Sequence, residues 1–138
     1  MKKIYYLLTF IIFPILIVLL LLLVIFLSSQ RFKNYKAVDY QLEGRKYKLL
    51  VADTAQKWEK GLMNTKKLKG TQGMIFIFPD KQVRHFWNKN TYLDLEVYWI
   101  DDEKVKGKSY LPSIEKTRQV MVVSSPAKVN KVIELIIR

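Results

Sequence analysis

The chain has 138 residues, 24 of them Lys or Arg against 12 Asp or Glu, for a formal net charge of +12, and no Cys. That length leaves room for one domain beside a terminal segment, and the missing Cys excludes disulfides, thiolate metal sites and a Cys nucleophile. The basic balance favours anionic surroundings such as lipid headgroups, acidic glycans or nucleic acid, although scattered lysines that keep a small domain soluble account for the same charge.

Ile4 to Leu27 is an uninterrupted run of 24 uncharged residues dominated by Leu, Ile, Val and Phe. As a helix it would extend about 36 Å, enough to cross a hydrocarbon core of about 30 Å. Pro14 is tolerated in a membrane span, and Tyr5 and Tyr6 suit one interface. A cleaved signal peptide is the alternative, but Phe26-Leu27-Ser28-Ser29 places a large residue where cleavage needs a small one. An uncleaved transmembrane anchor over residues 1–29 is therefore expected, followed by a linker over 30–37 and a domain over 38–138. Five basic residues and no acidic ones precede Asp39, so the region from Asp39 onward carries 12 − 5 = +7.

The domain opens with Val38 to Leu42 and Lys46 to Val51, two alternating runs around Glu43-Gly44 that predict a hairpin. Asp53-Thr54-Ala55-Gln56 reads as a capping box starting a short helix that runs through Lys60 and stops at Gly61. Trp58 and Leu62 would dock it, with Met63 as a flexible core filler. Asn64 to Gln72 is a basic loop. The stretch from Gly73 to Asp102 then supplies the predicted centre of a sheet. Met74, Phe76 and Phe78 share one face of a first strand, with Ile75 and Ile77 on the other. Val83 to Trp87 forms a second strand, and Leu93, Leu95, Val97 and Trp99 line a third, opposite Tyr92, Asp94, Glu96 and Tyr98. Asp101 to Glu103 is a hairpin tip, Val105 to Leu111 an edge strand guarded by lysines, and Pro112 to Arg118 a loop. Val120 to Val123 and Val129 to Ile137 close the chain. The result is mainly β: a compact sandwich or barrel-like domain of about eight strands with one short helix. Its expected core is Leu49, Val51, Trp58, Leu62, Met74, Phe76, Phe78, Phe86, Leu93, Leu95, Val97, Trp99, Val122, Ile133 and Leu135.

Three motifs, Gly61-Leu62-Met63, Gly73-Met74-Ile75-Phe76-Ile77-Phe78 and Phe86-Trp87-Asn88-Lys89-Asn90-Thr91, occur in the order and spacing of the DUF192 family, which the region from about 38 to 138 resembles. Asn88 stands where that pattern usually has Met, Asp94 where it has Pro and Glu96 where it has Asp. The resemblance implies a compact, mostly β domain, commonly exported, with no activity to carry over. Basic residues flank both ends of the apolar run, so charge alone does not orient it. The resemblance to exported proteins places the domain outside the cytoplasm.

The single His, His85, with no Cys makes a zinc site improbable, and no nucleophile-elbow motif is present. No metal or cofactor is expected. Asp94 and Glu96, two apart on a strand with backbones about 6.6 Å apart, can be brought by side-chain rotation to the carboxylate spacing of a glycan hydrolase, but solvent-facing salt bridges to Lys89 or Arg84 are the preferred explanation. The segment from Arg84 to Glu96 concentrates the ligand-binding candidates Arg84, Trp87, Lys89, Asn90, Thr91, Asp94 and Glu96. A membrane-anchored binding or accessory module for a cell-envelope glycan or protein is expected ahead of an enzyme. A cytoplasmic basic domain contacting anionic lipid or nucleic acid is the remaining alternative, with nucleic acid the less expected partner.

Overall fold

The computed structural model describes residues 2–29 and 32–137, with side chains over 10–27 and 32–137. It divides into two units, Met1–Tyr35 and Lys36–Arg138. In the first, helix α1 (Lys2–Ser29) runs through Pro14, and its stretch Phe10–Leu27 is apolar, exposed and long enough to cross a membrane. Such a helix near an N-terminus serves as a membrane anchor or a signal sequence.

The second unit is mainly β. Its elements are β1 (Ala37–Leu42), β2 (Arg45–Ala52), α2 (Ala55–Lys60), β3 (Gly73–Gln82), β4 (His85–Trp87), β5 (Leu95–Asp101), β6 (Lys104–Leu111), α3 (Ile114–Thr117), β7 (Val122–Ser124) and β8 (Val129–Ile136). Six strands form one sheet in the order β1-β2-β3-β8-β5-β6, and β4 pairs with β7 in a second, small sheet. All pairs are antiparallel except β2 with β3, which α2 and the basic loop connect. The last strand, β8, is inserted between β3 and β5, so the middle of the sheet is buried on both faces.

Register rows separate those faces. Val51, Ile75, Ile133 and Tyr98 stand in one row, and with Leu42, Leu49, Ile100 and Leu135 they form a closed apolar cluster. The sheet curls around it. The Tyr40 hydroxyl on β1 lies 3.5 Å from Glu103 at the β5–β6 turn, and the Tyr98 hydroxyl on β5 lies 3.3 Å from Glu43 at the β1–β2 turn. This gives the domain its barrel-like side.

The opposite face carries Leu50, Met74, Phe76, Phe78, Leu95, Val97 and Trp99, and β4 packs over it. The Phe86 ring meets Phe76 at 4.8 Å and Trp99 at 5.7 Å, both edge-to-face, contacts that stabilise by about 0.5–1.5 kcal/mol each beyond area burial.

Local chemistry differs from the sequence expectation in five places. The helix cap is Thr54, whose Oγ1 accepts from the Lys57 amide, while Asp53 pairs with the Lys57 ammonium at 2.6 Å. Pro112 to Arg118 is not all loop: α3 forms within it, ended by Arg118 at φ 55°. Val83 and Arg84 stay outside β4, and Tyr92 to Asp94 precede β5. Val122, expected in the core, is 56% exposed because it stands opposite Trp87 on the outer side of the small sheet. Trp58, Phe86 and Leu93 are half-buried, and the other expected core residues are buried.

Candidate functional site

A cleft of about 440 Å³ opens between α2 with its following turn and the segment leading into β4. Gly61 makes its first wall possible. Its N–H bonds to the Lys57 carbonyl at 2.9 Å, and its φ of 44° turns the chain sharply, a conformation that costs little only without a side chain. Leu62 is thereby buried and Met63 faces the cleft. Trp58 completes this wall: its indole N–H donates to the Ala52 carbonyl at 3.0 Å, and its ring packs on Phe78 at 4.9 Å.

Arg84 forms the facing wall. Its guanidinium lies 3.9 Å over the other partner of Trp58, the Phe78 ring, and pairs with the Asp80 carboxylate. Its backbone is pinned to Ser125, donating to Oγ at 3.0 Å and accepting the Ser125 amide at 2.9 Å. The hydrogen bond from Arg84 holds the Asp80 carboxyl below its usual range. His85, exposed on β4, has Nδ1 2.7 Å from Ser124 Oγ. Trp87, 48% exposed, stands at the rim with the Lys89 ammonium 5.7 Å from its ring centre.

Glu134 lies on the inner lining of the cleft. It stands on β8 between Met74 of β3 and Val97 of β5, only 5% exposed. Its Oε2 makes no hydrogen bond among the described residues, and neither does the buried Nε of Arg84. Burial pushes the Glu134 carboxyl from about 4.5 up to about 8, so at neutral pH it is an uncharged acid able to donate a hydrogen bond.

The structure divides the sequence candidates. Arg84, Trp87 and Thr91 line the cleft, and Lys89 borders it through Trp87. Asn90 shapes the site through its backbone: at φ 51° its carbonyl accepts the Asn64 amide at 2.6 Å, tying the two walls together. Asp94 and Glu96 do not line the cleft or act on each other. Asp94 accepts the Ser113 amide at 2.9 Å and pairs with Lys116. Glu96 lies 2.8 Å from the Tyr98 hydroxyl and 3.1 Å from Lys108, beside a separate hollow lined by Tyr47 and Gln72. Partial burial raises both carboxyls, but these partners outweigh it and hold each below its usual range. Neither is poised as a general acid. Asn88 is an unexpected hinge-pin of the site. Fully buried, its side chain donates to the Pro112 carbonyl at 3.0 Å and Thr117 Oγ1 at 2.9 Å and accepts the Met121 amide at 2.7 Å.

Among the described residues, no three His, Asp or Glu side chains are grouped to hold a metal ion. The residues present give the cleft aromatic walls and two buried atoms, Glu134 Oε2 and Arg84 Nε, without hydrogen-bond partners among the described residues.

This fold and its motif positions define a class. The sequence profile of DUF192, described as uncharacterized ACR, matches residues 37–136. The chain belongs to the DUF192 family. It is similar to a crystal structure from Sinorhizobium meliloti 1021 named as a candidate transcription regulator, at 26% identity and TM-score 0.57, covering 74% of this chain and 79% of that one. A protein of unknown function from Novosphingobium aromaticivorans DSM 12444 has the same fold, at 20% identity and TM-score 0.61, covering 74% and 73%. Comparison with curated proteins finds no match.

Proposed function

We propose that the domain is a binding module, tethered by α1 to the outer face of a cell membrane, that takes a small ligand or the end of a longer one in the cleft between α2 and β4. One observation carries the reading: an aromatic-walled cavity of about 440 Å³ whose lining includes a buried carboxyl without a hydrogen-bond partner among the described residues. A buried polar group left unpaired costs about 1–3 kcal/mol, and a cleft of this size with apolar walls and few polar groups is the usual form of a ligand site. The tether rests on the length and apolarity of α1, and the outward orientation on the resemblance to exported proteins.

Contact with nucleic acid, suggested by the name of the Sinorhizobium neighbour, has less support. Lys46, Lys57, Lys81, Arg84, Lys106, Lys108, Lys116 and Lys131 are each paired with a carboxylate, which neutralises part of the basic charge that such binding uses.

The test is a titration of the full-length protein in lipid nanodiscs with a panel of envelope oligosaccharides and peptides, read by tryptophan fluorescence and checked for turnover. Trp87→Ala should weaken any binding at least tenfold with an unchanged melting temperature. Binding that survives both Trp87→Ala and Trp58→Ala would place the ligand elsewhere.

A further inference from the structure

The aromatic cleft holds two buried groups whose chemistry narrows what can enter it. We infer that it takes an uncharged sugar ring bearing a carbonyl, such as an N-acetyl group, with Glu134 hydrogen-bonding that carbonyl oxygen and the aromatic walls receiving the C–H face of the ring. This rests on the reading of the cleft as a binding site and adds the class of ligand.

Two kinds of ligand could satisfy a buried carboxyl: a cation that pairs with its ionised form, or an oxygen acceptor that pairs with its neutral form. The apolar lining decides between them. The other titratable groups around the cavity are Glu59 and Lys60 of α2, Arg84 before β4 and His85 on it, and Arg84 is already paired with Asp80, so their charges are mixed. An entering cation would have to bring Glu134 to the costly charged state in that lining. A neutral ligand avoids this cost. Burial keeps Glu134 protonated at neutral pH, so it presents an O–H, the way a buried acid serves as a donor in an apolar site.

Arg84 points the same way. Its Nε–H is buried without a partner among the described residues, and one terminal nitrogen, Nη2, is engaged by Asp80. The guanidinium can only donate, so this wall adds no acceptor. A carbonyl oxygen accepts and does not donate, which suits both groups. The Trp58 and Trp87 rings are partly exposed at the cleft, where an amphipathic sugar ring can stack its apolar face and leave its hydroxyls in water.

The test uses the full-length protein in nanodiscs, with the N-acetylglucosamine tetramer as the neutral probe and the glucosamine tetramer as its amine counterpart. The neutral tetramer should bind at pH 6 and weaken about tenfold by pH 9, one unit above the carboxyl's titration near 8. Glu134→Gln, which keeps an uncharged donor, should hold the pH 6 affinity within about threefold and abolish the pH dependence. The pH profile of the unsubstituted protein reads Glu134 even if that variant folds poorly.

Preference for the amine tetramer, lost in Glu134→Gln, would keep the cleft but overturn the neutral-ligand class. Neutral-tetramer binding that is flat from pH 6 to pH 9 would overturn the role of Glu134. Binding of neither tetramer would overturn the sugar class, while the wider panel with Trp87→Ala still judges the cleft itself.

Discussion

The backbone carbonyl of Glu134 occupies the space into which a side chain at residue 73 would have to grow: a Cβ on Gly73 would lie 1.9 Å from that oxygen. Two central strands, β3 and β8, leave no room for a side chain beside the residue whose carboxyl lines the cleft. Gly73→Ala must push β8 away or bend β3, in a sheet packed on both faces. We expect a loss of about 3 kcal/mol or more in denaturant unfolding. A loss below about 1 kcal/mol would mean the strands have room the structure does not show.

Asn88 joins β4, α3 and the chain before β7 through three side-chain hydrogen bonds. Asn88→Ala leaves the buried Pro112 carbonyl and the part-buried Met121 amide without that partner. It should cost about 2–4 kcal/mol, measured as a lower urea midpoint with an unchanged slope. A change under about 0.5 kcal/mol would show that water replaces these bonds freely.

The first hairpin, the short helix ending at Gly61 and the apolar face of β3 were legible because each is fixed by local pattern: alternation, a cap, a positive-φ turn. The place of β8 was not, since nothing in the order of strands says that the last one is inserted between β3 and β5. Nor was the separation of β4 from the main sheet, which depends on the long-range ties from Asn88 to Met121 and from Arg84 to Ser125. Arg84, Trp87 and Thr91 could be picked out as polar and aromatic groups crowded between two strands. Glu134 could not be picked out that way, hidden in a run read as core strand. Its signal was there: a single carboxylate between Val132 and Ile136, on a face where alternation demands an apolar residue.

Glu134 makes stability depend on pH in a defined direction. The unfolded carboxyl ionises near 4.5 and the folded one near 8. Between those values the folded state binds more protons, so stability falls as pH rises from about 4.5 and levels off above about 8. Glu134→Gln should remove that slope. The variant should melt above the parent at pH 8.5 by an amount equivalent to a few kcal/mol at most, and the gap should shrink towards pH 5. A gap independent of pH would show that Glu134 titrates normally.

Asp94 and Glu96 should behave as scaffold. Asp94→Ala releases the Ser113 amide and Lys116 and should cost about 1 kcal/mol, and Glu96→Ala less than that. Binding in the cleft should stay within about twofold for both, by fluorescence titration. A tenfold loss in either would bring these carboxylates back as ligand groups.

The proposed tether and its proposed direction predict that a reporter fused after Arg138 is active only outside the cytoplasm, and that the mature chain keeps Met1 to Leu27. A cytoplasmic signal would reverse the orientation. A mature N-terminus near Gln30 would make α1 a signal sequence.

The cleft between α2 and β4 is tested most directly by mapping amide and indole chemical shifts of the isotope-labelled full-length protein during titration with the N-acetylglucosamine tetramer. The account predicts concentration-dependent shifts at Trp58, Met63, Arg84, Trp87 and Glu134, with Glu96 and Lys108 unmoved. Shifts centred on Glu96 and Tyr47, with none at the cleft residues, would contradict it.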